Sequence, residues 1–463
     1  MGRHIEHRGG YVNVMAVNKE LLMAVAPREN EQVRLRNLNE IEFPERSFRI
    51  PELIEDFVSG DWVDFITSNN VQQMLKKKQG DWSFYVRAPL LRLLFDKEAT
   101  QLKGMDCVVT GDIPIGSGLS SSSALVVGSA LASCFLNNIK MNQSEFIELC
   151  SVSEWFVGSR GGGADHAAIF TGVQAHFLKI GFFPFHIAQK VKFPNDLKIV
   201  IANSGARAIK SAGAKDIFNQ RIACYEFAQM LLKQLWEPAK DMKQLRDILP
   251  EKLRVKDSDI YSALKLLPEN IDRENLRKII AEKDTELLEL NFGTHRDLGE
   301  YRLRDVVLFG IGECIRSNKF ANLFSKGDFE GVKQLIKTSH NGDRLYALDE
   351  KEQLVPTNNR YDDSLLDSLV SENAQLEKQP GRYACSTEAI DSIVDIANGV
   401  EGVIGAQLAG AGLGGCTTIL LKKNSLNELF NHLKNKFYLK RKLDFDVHVC
   451  SPVAGACLFE IGE

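Results

Sequence analysis

Short apolar runs alternate with charged residues over positions 10 to 50, with Tyr11-Val12, Leu21 to Val25 and Val33 among the apolar ones. That pattern predicts antiparallel strands. From Ile54 to about Phe95 the spacing becomes helical, with Trp62, Phe65, Trp82, Phe84, Tyr85 and Leu90 at apolar positions. Met105 to Thr110 predicts a strand, and Ala124 to Leu136, small and apolar, a buried helix. Leu197 to Ile201 is a second apolar strand and opens a second domain. Phe218 to about Lys337 is mostly helical and charged. Leu348 to Gly381 is polar, carries Pro356, Asn358, Asn359 and Pro380, and predicts a surface insertion. A helix over Ser386 to Asn398 follows, then strands at Gly405 to Leu408 and Cys416 to Leu421. Asp444 to Val449 and Ala456 to Glu460 predict closing strands. At 463 residues the chain is long enough for two or three domains of about 150 residues each.

Composition narrows the class. Hydrophobic residues make up 44% and charged residues 25%, which excludes a disordered chain or a fibre. The longest nearly apolar stretch, Ala124 to Leu136, falls short of the roughly 20 residues a bilayer span needs, so no membrane partner is expected. Met1 to Gly10 carries no apolar secretory core, and the protein is expected to be cytoplasmic. With 57 Lys+Arg against 61 Asp+Glu the net charge is −4, so no nucleic-acid partner is implied; Lys76 to Lys78 reads as a solvated helix face. The nine cysteines are scattered without a CxxC pair, which suits reduced thiols and implies neither disulfides nor zinc.

Three glycine-rich segments could carry chemistry. The first, Pro114-Ile-Gly116-Ser117-Gly118-Leu119-Ser120-Ser121-Ser122-Ser123, sits between a predicted strand and a predicted apolar helix. Glycines let backbone come close to a ligand, amides at a helix start form an anion site, and serine hydroxyls add hydrogen bonds or reach a magnesium ion. A flexible turn is the alternative, and the strand-to-helix context favours phosphate. No GxxxxGK[ST] loop is present; Ser204 to Ser211 comes close but has Ile209 where glycine belongs. The second, Gly410-Ala-Gly412-Leu-Gly414-Gly415-Cys416, fits a tight turn equally well. The third, Gly161-Gly162-Gly163-Ala164-Asp165-His166, places an acid where a substrate could approach, or where it could cap the next helix.

Taken together, these segments resemble the GHMP kinase superfamily of galactokinase, homoserine kinase, mevalonate kinase and phosphomevalonate kinase, in its galactokinase-like sugar branch. The phosphate loop P-x-G-x-G-L-S-S-S matches Pro114 to Ser122. The branch's G-[AS]-R-M-T-G-G-G-F-G-G-C is similar to Gly405 to Cys416, and its C-G-I-M-D-Q to Gly161 to His166. Asn203-Ser204, Ser339-His340 and Cys385 to Glu388 fall in the expected order. Met1 to Gly10 lies over I-G-E-H-T-D-Y-N-G-G, with Gly2, His4, Gly9 and Gly10 matching. The branch's preceding P-G-R arginine would fall upstream of Met1, through a start assigned late or a real loss.

The resemblance implies an α+β, two-domain fold. Residues 1–190 would form an ATP-binding domain with mixed sheet and helices, like domain 2 of ribosomal protein S5, with a sugar-binding segment at its start. Residues 191–463 would form a ferredoxin-like domain with a helical region at 218–337 and an insertion at 348–381. It also implies ATP-dependent phosphorylation of a sugar's anomeric hydroxyl with Mg²⁺ as cofactor; a sugar- and ATP-binding regulator is the alternative. Asp165 would be the catalytic acid or base. Pro114, Gly116, Ser117, Gly118, Leu119 and Ser120 to Ser123 would bind ATP. Arg3, His4, Glu6, Gly9, Gly163 and Asp165 would bind sugar, with Gly410, Gly412, Gly414 and Gly415 near phosphate and sugar. Ser122 would hold the metal. The branch's second metal ligand falls at Ser153, with Glu154 beside it, one residue and roughly 100° around a helix. The branch's first sugar-binding acid, facing C6, is replaced by Arg3. A cation there suits a carboxylate and raises a uronic acid as substrate. A neutral hexose such as galactose, with Arg3 merely solvated, is the other possibility, and a metal site at His4, Glu6 and His7 a third. The branch's sugar-contacting tyrosine falls near Ile217 and Phe218. No oligomeric state is implied, a monomer included.

Overall fold

The computed structural model describes residues 1–462 except 56, 58, 97–100, 117, 159–160, 207–211 and 351–352. The predicted nucleotide contact Ser117 therefore lies outside the described residues. Strand β1 (Val12–Val14) is followed by β2 (Leu21–Pro27), β3 (Gln32–Asn37) and β4 (Arg46–Arg49), and then by β5 (Met105–Gly111). These form a sheet ordered β2-β5-β3-β4, without β1. The strands predicted over residues 10 to 50 exist, but β2 and β3 do not pair with each other. β5 lies between them, antiparallel to β2 and parallel to β3. Its apolar residues Met105, Cys107 and Val109 are buried and suit a central strand, whereas β2 alternates half-buried and exposed positions as an edge strand does. The predicted buried helix, Ser121–Leu136, packs Leu125, Val126 and Ala130 onto this sheet. A second sheet, β1-β6-β7, adds β6 (His176–Gly181) and β7 (His186–Lys192).

The later half of the chain contributes β8 (Leu197–Asn203), the hairpin of β9 (Tyr346–Leu348) and β10 (Leu354–Pro356), then β11 (Val403–Leu408), β12 (Cys416–Lys422) and β13 (Val447–Cys450). The sheet order β11-β12-β8-β13, antiparallel throughout, is the second, third, first and fourth strand of a ferredoxin-like unit. Helices Glu388–Asn398 and Leu426–Leu433 bury Ile393, Val394, Leu429 and Leu433 on one face. The long helices Ala212–Leu235, Leu303–Ser325 and Phe329–Asp343 fill the predicted helical region.

Three expectations change. The stretch from Leu348 to Gly381 is not merely a surface insertion: helix Asp363–Ser371 buries Leu366 and Leu369, and Leu376 joins the same core as Phe309 and Tyr261. Its prolines and asparagines mark turns, while two leucines three residues apart make one apolar helix face. Ala456 to Glu460 forms no strand; the amides of Val453, Gly455 and Ala456 donate to Ala16, Gly172 and Ile169, away from any sheet edge. Finally, the start of the chain docks on the later half. The Gly2 amide donates to buried Glu313 at 2.8 Å, and Arg3 reaches Asp343.

Candidate functional site

A cleft of about 2200 Å³ runs between the two halves and is lined by all three glycine-rich segments. Its floor is the turn from β5 into helix Ser121–Leu136. Gly116 and Gly118 take φ of 67° and 78°, and Gly118 meets the β11–β12 turn: a Cβ on Gly410 would lie 3.1 Å from the Gly118 carbonyl oxygen. Ser120 occupies the N-cap of the helix with φ 57° but makes no side-chain cap, and the first turn carries no acid. The opening amides of that helix thus form an anion site. Gly116, Gly118, Leu119 and Ser120 to Ser123 line the cleft; Pro114 is not among its lining residues.

Asp165 stands in the first turn of helix Ala164–Thr171 and accepts a hydrogen bond from the Ser120 hydroxyl at 2.6 Å. Desolvation by the protein around the cleft pushes its pKa above the ordinary aspartate range; the Ser120 bond and His166 oppose this, while Glu154 and Glu6 add to it. Glu6 lies across from it, its side chain so close over Gly162 that a Cβ there would fall 2.2 Å from the Glu6 Cγ. Burial works against the Glu6 charge, but His7, whose Nδ1 lies 3.8 Å from Glu6 Oε1, outweighs it and holds this carboxyl below its usual range. One cleft therefore holds two carboxyls whose pKa values are pushed apart, the arrangement that separates a proton acceptor from a permanently charged binder. Gly161 and Gly162 line the cleft, whereas Gly163, predicted as a sugar contact, packs against Phe182 and Ile147.

Of Ser153 and Glu154, only Glu154 faces the cleft. Ser153 is fully buried and donates to the Leu149 carbonyl in its own helix. Glu154 lines the cleft, accepts from Ser123 at 2.9 Å and lies 3.0 Å from His166 Nε2. Among the described residues no group of three or more His, Cys, Asp or Glu is placed to hold a metal, and this includes His4, Glu6 and His7. Ser122 and Glu154 are oxygen donors on the wall beside the phosphate loop. That donor set suits Mg²⁺ completed by nucleotide phosphates, so the residues present fit the ion.

Of the other predicted sugar contacts, Arg3 and His4 line the cleft and Gly9 does not. Arg3 is paired rather than free. Its guanidinium donates to Asp343 Oδ2 at 2.8 Å, to Gln407 Oε1 at 2.5 Å and to Ser339 Oγ at 3.2 Å. His4 stacks on Tyr383 with ring centroids 4.0 Å apart and sets Nε2 3.3 Å from Asp343 Oδ1. Gly9 packs on Arg246, whose guanidinium also grips the Phe182 and Phe183 carbonyls. These residues anchor the segment that carries Glu6. In the glycine motif, Gly410, Gly412 and Gly414 line the cleft, while the Gly415 carbonyl accepts from Ser204. Gly412 has φ 84°, and a Cβ there would meet the Cys385 carbonyl oxygen at 2.1 Å. Sequence reasoning missed Lys215 and Asn219, which line the cleft with Phe218 from the start of helix Ala212–Leu235. Their spacing of three and four residues was the available signal.

Residues 85–173 match the GHMP kinases N terminal domain and residues 359–439 the GHMP kinases C terminal domain. The chain carries both the N-terminal and the C-terminal domain of the GHMP kinases. The two matched segments contain the phosphate loop, Glu154 and Asp165, and the Gly405 to Cys416 turn. The chain is 24% identical over 456 residues to a galactokinase of Dictyostelium discoideum, covering 95% of this chain and 82% of that protein. It is 25% identical over 509 positions to a galactokinase of Saccharomyces cerevisiae, covering 100% and 89%. The fold is similar to Lactococcus lactis galactokinase complexed with galactose, with a TM-score of 0.67 at 18% identity, covering 98% of this chain and 91% of that one.

Proposed function

We propose that this protein is an ATP-dependent sugar 1-kinase that phosphorylates the anomeric hydroxyl of a neutral hexose such as galactose. The observation that carries the proposal is the pairing in one cleft of Asp165, hydrogen-bonded to the phosphate loop, with Glu6 across Gly162. Similarity over nearly the whole length to proteins named galactokinase supports the substrate class. A uronic acid loses its support, because the Arg3 charge is taken by Asp343.

In the mechanism, Glu6 binds ring hydroxyls as a permanent anion. Asp165 accepts the proton of the anomeric hydroxyl as the hydroxyl oxygen attacks the γ-phosphorus of ATP and the bond from that phosphorus to the β–γ bridging oxygen breaks, releasing ADP. Amides of Gly116 and of Gly118 to Ser122 spread the charge of the transferring group, since phosphoryl transfer rests on positioning and electrostatics. The Gly410 to Gly414 turn closes against Gly118 and excludes water from the same space. Ser122 and Glu154 would hold Mg²⁺, which when bound offsets the charge of the β- and γ-phosphates. Consumption of ATP and nine cysteines scattered without a CxxC pair suit a cytoplasmic enzyme.

The test is ADP release by the purified chain with Mg-ATP and galactose, glucose, N-acetylgalactosamine, arabinose, galacturonate and glucuronate. Turnover of a neutral hexose supports the proposal. ATP binding without turnover of any sugar would make the protein a binding regulator, and a strict preference for a uronate would return Arg3 to the sugar.

A further inference from the structure

Ser120 is the seventh residue of the loop Pro114 to Ser123, which would receive phosphate, yet its side chain points elsewhere. It sits in the left-handed region at φ 57°, a conformation that costs a non-glycine residue free energy and collects at functional sites. It occupies a helix N-cap, where serine ordinarily accepts from an amide of the first turn, and makes no such bond. The hydroxyl instead donates to Asp165 Oδ2 at 2.6 Å, across 45 residues of sequence. Both departures have one consequence: the first amides of the helix stay open, and one oxygen of the Asp165 carboxylate is fixed.

We propose that Ser120 is the positioning residue for Asp165, holding Oδ2 so that Oδ1 is presented to the sugar hydroxyl, rather than a ligand of the nucleotide. The proposal rests on the kinase reading above and on Asp165 as its base. No bond is made or broken at Ser120, and its proton stays on Oγ throughout. Four groups act on the Asp165 carboxyl: Ser120 from the phosphate loop, His166 from the same helix, Glu154 from the 3-10 turn after Gln143–Ser153, and Glu6 from the chain start. Of these, Ser120 and His166 favour the charged form.

The experiment compares Ser120→Gly, which keeps the backbone conformation without strain, with Ser120→Ala, each alone and in an Asp165→Asn background. Steady-state kinetics are followed across pH with Mg-ATP and the sugar that the wild type turns over. The expected result for both single variants is a kcat lower by about 10- to 100-fold, the scale of a misplaced reacting group. KM for ATP is expected to stay within about twofold, and the acid limb of kcat to move to higher pH as the bond favouring the carboxylate is lost. In the Asp165→Asn background the Ser120 changes should add nothing further. A rise in KM for ATP with kcat and the acid limb unmoved would overturn the proposal and make Ser120 a phosphate ligand. A loss that is fully additive with Asp165→Asn would overturn it too. Failure of the underlying reading looks different: Asp165→Asn alone would then leave turnover intact.

Discussion

The Arg3–Asp343 pair offers a quantitative test of how the sugar-binding segment is held. Asp343 is fully buried and Arg3 nearly so; burial opposes the Asp343 charge, but His4 and Arg3 more than offset it and hold the carboxyl well below the usual range. Removing one partner of such a pair costs about 3 to 5 kcal/mol, because a buried charge is left uncompensated. Arg3→Met leaves Asp343 facing His4 alone and belongs at the upper end. Asp343→Leu leaves Arg3 with Gln407 and Ser339 as neutral acceptors and belongs at the lower end. Replacing both by apolar residues of similar volume should recover most of the loss. Unfolding free energies from urea titration measure the stability terms. KM for the sugar measures how well the segment still presents Glu6, and Arg3→Met should raise it for neutral sugars and uronates alike. Single variants within about 1 kcal/mol of the wild type would show the pair to be worth no more than an exposed one and refute the reasoning. A KM loss confined to uronates would refute it from the other side, by making Arg3 a substrate contact.

Gly412→Ala meets the Cys385 carbonyl oxygen, so the β11–β12 turn must shift away from Gly118; thermal unfolding and kcat should both drop, kcat by about 100-fold, the cost of a shift of order 1 Å. Asp165 acts as a carboxylate and its pKa is raised, so kcat should fall as pH drops, with the limb above the about 3.9 of a free aspartate; a pH–rate profile of the wild type checks this. Glu154→Gln should raise the Mg²⁺ concentration needed for half-maximal rate by about tenfold while leaving sugar binding unchanged, read by titrating Mg²⁺ after EDTA treatment.

Local strings made much of the site legible. The phosphate loop, Asp165 and the glycine turn are runs of adjacent residues whose backbone conformations depend on glycine, and the cleft brings them together. Glu154 was harder to place, because one step around a helix separates a buried serine from a carboxylate in the cleft, and only packing decides which faces in. Arg3 was illegible: its partner Asp343 lies 340 residues away, and an unpaired arginine in a sequence carries no mark of where its charge is spent. The same holds for the sheet, where adjacent strands β2 and β3 yield their shared edge to β5. Composition misled at Leu348 to Gly381, since turn residues outnumber the few leucines that anchor it to the core.

The central claim is phosphoryl transfer to an anomeric oxygen with Asp165 as base, and ³¹P NMR of the product tests it most directly. Incubating the wild type with Mg-ATP and galactose should yield a phosphorus resonance coupled to the anomeric proton, and Asp165→Asn should bind ATP yet form this product about 100- to 10,000-fold more slowly. A phosphate on any other carbon, or the same product formed at undiminished rate by Asp165→Asn, would contradict it.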